Sequence, residues 1–213
     1  MSELEPDWNP DGDVVPKRKR FPKWLLVGCG CGCLTIVVVL IVLGVWIGRV
    51  ASEGRDPDKQ WPKIAKILPF EERPTDLELQ LGLSLGFLGF ETYILKGDDP
   101  GYIATIQYHP NASPESMSML FDPEGANAPF GLGQPTEGKE RMLTIQGREV
   151  RALFYRGIGG QEGGEAQGPG VRVDASGESG FTLVDLRMLD PSVQEVPEEV
   201  IQDFFEHFEF GDS

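Results

Sequence analysis

Residues able to cooperate in acyl transfer occur along this 213-residue chain in a recognisable order. Gly82-Leu83-Ser84-Leu85-Gly86 fits G-x-S-x-G, the turn that presents a serine nucleophile in α/β-hydrolases, and Asp185 or Asp190 and then His207 follow in the order of that triad. The chemistry would be attack of the Ser84 hydroxyl on an acyl carbon, with His207 taking the proton and the aspartate orienting the imidazole. The motif needs a buried strand before the serine, a helix after it and a parallel sheet of alternating strands and helices. Here the following FLGFETYIL is strand-like, the alternation is missing, and Gly82, Gly86 and Gly89 read as the spacing of a tight or irregular loop. His207 lies one helical turn after Asp203, and a solvated Asp-His pair accounts for it without catalysis. Ser84, Asp185 and His207 therefore stand only as the candidates of a hydrolase alternative, and no catalytic residue is assigned.

Metal and cofactor chemistry has less to work with. The cysteines are Cys29, Cys31 and Cys33, and on a helix only Cys29 and Cys33 share a face, short of the four converging ligands of a structural site. His109 and His207, the two histidines, are 98 residues apart. Asp7 to Asp13 reproduces the first half of a calcium loop, but Arg18 stands at the twelfth position, where a bidentate Glu belongs. The glycine-rich stretch 157–170 lacks the GK[ST] ending and the following helix of a phosphate cradle. No metal site and no cofactor are expected. Asn111-Ala112-Ser113 matches the N-glycosylation pattern, with Pro114 directly after it, and decides nothing.

The charge balance excludes a further class. With 34 acidic and 19 basic residues the net charge is -15, and a chain of that sign repels the phosphate backbone whose binding depends on Lys and Arg releasing counterions. No nucleic-acid partner is expected.

These residues must be held by elements, and the plainest of them precedes them all. Trp24 to Gly48 is a run of 25 residues without a charge, long enough as a helix to cross a hydrocarbon core of about 30 Å with some tilt. Trp24 and Trp46 sit where interfacial anchors belong. Lys17, Arg18, Lys19, Arg20 and Lys23 precede the run, whereas Arg49 and Arg55 follow it closely, so the positive-inside rule keeps the amino terminus in the cytoplasm. The expected location is the plasma (inner) membrane, single-pass, with the carboxyl-terminal domain outside the cytoplasm and the lipid bilayer as the first partner. Residues 51–213 carry 13 basic and 29 acidic side chains, so nearly all the acidity belongs to that domain.

Two processing routes compete with retention of the span. Leu26-Val27-Gly28-Cys29 matches a short lipobox, but most of the apolar run comes after Cys29 and not before it. Cleavage after Ser52, with Val50 at the minus-three position, is opposed by an apolar run long enough to stay as an anchor. Whether a cysteine of the span is lipidated stays open. Gly28 with Gly32, and Gly44 with Gly48, form two small-xxx-small patterns, about 160° apart around the axis, so a homodimer through one of them is an option but a single seam is not.

The domain organisation read from the sequence is a disordered cytoplasmic tail over 1–23, a transmembrane helix over 24–48, a juxtamembrane tether over 49–74 and an α+β domain over 75–213. Without cysteines, that domain depends on its core and not on disulfides. Phe90 to Leu95 and Tyr102 to Tyr108 predict a hairpin around the turn cluster 97–101. Ser113 and Pro114 open a short helix to about Phe121. Met142 to Ile145 and Glu149 to Tyr155 predict a second hairpin around Gln146-Gly147-Arg148, and Val171 to Ala175 and Thr182 to Leu189 two more strands. A closing helix from about Pro197 to Phe208 carries Val200, Ile201, Phe204, Phe205 and Phe208 as one stripe. The expected fold is α+β, a mostly antiparallel sheet of about six strands packed with helices.

This order of elements, hairpin, helix SPESMSMLF, hairpin around IQGREVRALFYRG, strand TLVDLRML and closing amphipathic helix, resembles the α/β/α sandwich of PsbP-like proteins over residues 75–210. The glycine-rich stretch departs from the compact members. The resemblance implies an extracytoplasmic binding or assembly module, with another envelope or membrane protein as partner. It carries no catalytic signature, so no residue role is transferred.

Overall fold

Gln146 and Gly147 both adopt positive φ, 51° and 80°, the mirror-image turn that matches the twist of two antiparallel strands. The hairpin it closes, β5 (Lys139–Ile145) and β6 (Arg148–Tyr155), is the second one expected from sequence, with a two-residue loop in place of three. Gln146 repays its backbone strain through its side chain: Nε2 donates to the carbonyls of Phe205 and Phe208, 2.6 Å each. Both carbonyls belong to the end of the last helix, where Phe205 O also accepts from the Phe208 amide at 3.1 Å.

The computed structural model describes residues 23–85, 89–99, 101–122, 134–159, 168–177 and 180–210, with the side chains of the first helix described at 36–45, 48, 49 and 51–54. The chain divides into two units, residues 1–46 and 47–213. Among the described residues the first contributes to α1 (Lys23–Gly54), a 32-residue helix that runs on into the second. Residues 1–22, expected to be a cytoplasmic tail, with the half calcium loop and Lys17, Arg18, Lys19 and Arg20, lie outside the described residues.

The second unit is built on a seven-stranded sheet in the order β1-β2-β3-β9-β8-β6-β5, every neighbouring pair antiparallel. β1 is Leu77–Leu85, β2 Phe90–Gly97, β3 Tyr102–His109, β8 Gly170–Asp174 and β9 Phe181–Met188. The α+β class holds, with one strand more than expected. β1 escaped a clean reading because its pleat slips: Leu79 pairs with Leu95 and Leu81 with Ile94, leaving Gln80 as a bulge. Leu77 and Leu79 therefore face the core in one phase, and Gly82 and Ser84 take over that face in the other. The glycines read as a loop are in part strand, since Gly82 lies inside β1; Gly86 lies outside the described residues. A small second sheet pairs β4 (Gln134–Thr136) with β7 (Gly157–Gly159), two segments whose sequences read as loop.

One face of the large sheet carries the main core. Val184, Leu186, Val171, Val173, Ala152, Phe154, Tyr93 and Leu95 meet α4 (Glu198–Glu206), whose stripe Val200, Ile201, Phe204 and Phe205 is buried as expected. Beside α4 on this face lies α2 (Pro57–Ile67), capped by Asp56, whose side chain accepts from the Asp58 amide at 3.2 Å. Trp61, Ile64 and Leu68 of this segment join the core, so residues read as a tether contribute to the folded unit. Pro62 interrupts the pattern, but it is exposed and Trp61 and Ile64 still fall on one side of the helix. α2 is also tied to the end of α1: Gln60 Nε2 donates to the Glu53 carbonyl at 2.7 Å.

The opposite face is covered in part by α3 (Pro114–Ser118) and the turns after it. Ser113 caps this helix, its Oγ accepting from the Ser116 amide at 3.2 Å. Leu120 and Phe121 pack there against Leu153, Phe181 and Leu183. The helix is shorter than expected because its carbonyls are taken by i+3 turns, Leu120 N to Met117 O and Phe121 N to Ser118 O. Helical cover on both faces agrees with a layered sandwich.

Candidate functional site

Strand alternation decides which candidate side chains can meet. On β9, Val184 and Leu186 face the main core, so Asp185 and Arg187 face the α3 side, as Arg172 does between Val171 and Val173 on β8. Arg172 and Asp185 are direct register partners, and both are almost wholly buried, at 0% and 2% exposure. Arg172 Nε donates to Asp185 Oδ2 at 3.0 Å and its Nη1 to the Leu120 carbonyl at 3.2 Å. Tyr155 Oη donates to Asp185 Oδ1 at 2.6 Å, and Arg187 Nη2 donates to Tyr155 Oη at 3.3 Å. Burial, and then the Asp185 charge, push the Tyr155 phenol far above its ordinary range. A phenol held neutral and donating to a carboxylate is neither a nucleophile nor a base at neutral pH. What this cluster does is hold two buried charges in mutual satisfaction and fasten the turn after α3, through Leu120, to the sheet. Arg172, Tyr155 and Arg187 were missed from sequence, although Arg172 between the two valines of Val171-Arg172-Val173 is an available signal.

Ser84 points the other way, to the α2 side. It faces Glu91 across the β1-β2 ladder, and its hydroxyl donates to Glu91 Oε1 at 3.0 Å. Tyr93 Oη donates to the second oxygen of the same carboxylate at 2.5 Å, with burial and then Glu91 raising the Tyr93 phenol. His207, the C-cap of α4, has its Nε2 2.9 Å from Asp76 Oδ2, a partner other than the Asp203 expected from sequence and other than Ser84 or Asp185. Ser84, Asp185 and His207 are thus held by three separate partner sets, and the structure does not assemble them. His109, the other histidine, is stacked between Phe90 and Phe181 with ring centroids 6.1 and 6.4 Å away, and burial lowers its pKa.

Concave surface does exist at the end of the sheet where β6 finishes. A cleft of about 380 Å³ is lined by Glu137, Lys139, Phe154, Tyr155, Arg156 and Glu195, and an adjoining hollow of about 210 Å³ shares Arg156 with it. Its charges are mixed, and Arg156 is 3.7 Å from Glu137. Among the described residues no three His, Cys, Asp or Glu side chains are grouped to hold a metal.

In α1, the backbone is helical through Trp24, Gly28, Gly32, Gly44, Trp46 and Gly48, with Lys23 at its start. A Cβ added at Gly44 or Gly48 would meet nothing within 4 Å. Ile36 to Leu43 and Val45 are all exposed, between 45% and 68%. Among the described residues no helix is long and apolar enough to cross a membrane. The part of the apolar run with described side chains, 36–45, would be about 15 Å long, half of a hydrocarbon core. Compared with known proteins, the chain matches no family model, no curated protein and no solved structure.

Proposed function

We propose that the chain is a single-pass membrane protein, anchored by α1 over residues 24–48, with its amino terminus in the cytoplasm and its acidic α+β unit outside, where that unit works by binding as an accessory part of an envelope complex. The observation that carries the anchor is the exposure of Ile36 to Leu43. Eight consecutive residues at about 100° apiece point in every direction around a helix, so this segment is apolar on all sides, and nothing among the described residues covers it. A helix of that kind is at home in lipid. The binding role is supported by a mixed-charge cleft, by buried charges that satisfy one another and by a Ser84 hydroxyl engaged with a carboxylate and no imidazole. The competing reading, a membrane-tethered hydrolase, requires Ser84 to find a base stronger than Glu91.

The test is alkaline carbonate extraction followed by protease added to spheroplasts. The chain should stay with the membrane pellet, and a carboxyl-terminal tag should be digested from outside while an amino-terminal tag survives until lysis. Release by carbonate would overturn the anchor, and a protected carboxyl-terminal tag would overturn the orientation.

A further inference from the structure

The cations of this chain are not spread evenly. Residues 49–68 carry five basic and three acidic side chains, whereas residues 69–213 carry nine basic and 26 acidic ones. Three of the five lie on α2 at Lys59, Lys63 and Lys66, spaced i, i+4 and i+7, within about 60° of one another around the helix. That face is opposite the one that buries Trp61, Ile64 and Leu68. Lys59 and Lys66 are exposed, Lys63 is half-buried, and Arg55 is exposed just before the helix. The nearby carboxylates do not neutralise the face. Asp58 is 3.4 Å from Arg73 and Asp56 is 3.4 Å from Lys59, while Arg55, Lys63 and Lys66 form no salt bridge among the described residues.

We infer that the Arg55, Lys59, Lys63 and Lys66 face of α2 docks on the anionic lipid headgroups of the bilayer in which α1 is anchored. This rests on the membrane reading above. Chain length makes it feasible: from Gly48, the end of the apolar run, to Gly54 the helix rises at most about 9 Å. That is about the thickness of a headgroup layer, and within roughly one Debye length at physiological salt. α2 cannot drift from that point, because Gln60 is hydrogen-bonded to Glu53 and the Gly82 carbonyl packs directly against Gly54. Charge complementarity selects the occupant. Residues 69–213, with nine basic and 26 acidic side chains, are repelled on balance by an anionic surface, so the same field that attracts α2 disfavours contact through the rest of the unit.

The experiment places the full chain in nanodiscs of phosphatidylcholine alone or with phosphatidylglycerol added, and follows amide hydrogen exchange of peptides covering 55–68. Each cation near an anionic surface shifts the docked fraction about fivefold. Exchange across α2 should therefore slow at least fivefold in the anionic discs, return to the phosphatidylcholine value at 1 M salt, and leave β9 unchanged. The triple variant Lys59→Gln, Lys63→Gln, Lys66→Gln should lose the lipid dependence, and the corresponding triple Arg variant should keep it. Equal exchange of the natural chain in the two lipids would overturn the docking surface, as would lipid dependence that survives the Gln variant. A chain that does not enter either nanodisc would instead overturn the anchor itself, so the two failures are distinguishable.

Discussion

Replacing Asp185 by Leu removes one carboxylate from a site where the opposing Arg172 is fully buried. Arg172 keeps the Leu120 carbonyl at 3.2 Å, but its charge loses the anion that balanced it, and Tyr155 loses its 2.6 Å acceptor. Breaking one half of a buried ion pair costs about 3 to 5 kcal/mol, because the remaining charge cannot be rehydrated in place. For a folded unit of this size each kcal/mol moves the midpoint by about 2 to 4 °C, so Asp185→Leu should lower it by about 6 to 20 °C. Near-ultraviolet circular dichroism in detergent reads this directly, since it reports the packed aromatic residues and not the helix in the micelle. The decisive comparison is the double variant Arg172→Met with Asp185→Leu. With Arg172 and Asp185 both gone no fully buried charge is left unpaired, and Arg187, which is 3.6 Å from Asp185 in the natural chain and 22% exposed, keeps access to water, so the midpoint should recover part of the loss. A single variant that loses less than about 1 kcal/mol, or a double variant as unstable as the single, would refute the view that Arg172 depends on Asp185.

Four further outcomes follow from other parts of the molecule. A serine-directed fluorophosphonate should not label the protein, because the Ser84 hydroxyl is held by Glu91; labelling abolished by Ser84→Ala would restore the hydrolase reading. Burial first of all raises Tyr93, Tyr102 and Tyr155, with Tyr102 reaching about 12, whereas the unfolded chain ionises near 10, so stability present below pH 10 is lost as pH rises through that window. The loss should be about 1.4 kcal/mol per pH unit for each of these tyrosines, and denaturation at pH 9, 10 and 11 with tyrosinate absorbance measures it. His109 is lowered by burial, so the unfolded chain binds its proton first and stability falls as pH drops below about 6.5; urea titrations at pH 7.5 and 5.5 should show a smaller difference in His109→Phe. Gln146→Asn tolerates the positive φ but is too short to reach the Phe205 and Phe208 carbonyls, and should cost about 1 to 3 kcal/mol in urea denaturation.

What was legible in the sequence was local. The two hairpins announced themselves because Gly147 and the 97–101 cluster are turn chemistry read over a few residues, and the α4 stripe because Val200, Ile201, Phe204 and Phe205 keep one period. The failures are those of register and distance. The bulge at Gln80 shifts the phase of β1 halfway, so its glycines read as loop. α2 was legible as a short helix or tether, and what stayed hidden was its place in the core, because Pro62 masks the spacing of Trp61, Ile64 and Leu68. β4 and β7 are three residues each and meet only through a long-range pairing. For the candidate site, the order of Ser84, Asp185 and His207 was visible, but which face each occupies was not. That is settled by alternation against Tyr93 and Val184, and it sets Ser84 and Asp185 on opposite sides of the sheet. The Arg172 and Asp185 partnership depends on β8 lying beside β9 in one particular register, which no local pattern fixes.

One contact of the last helix bears on how copies of this chain meet one another. The outermost strand β5 would offer unpaired backbone groups to any neighbour, yet Gln202 Nε2 of α4 already occupies the Thr144 carbonyl at 2.9 Å. At the opposite rim, the kink at Gln80 and the close approach of Gly54 to the Gly82 carbonyl spoil β1 as a template. In a chain anchored as proposed, molecules confined to two dimensions would collide far more often than the same number in solution, and blunted rims would let these units crowd side by side without zipping into a common ribbon.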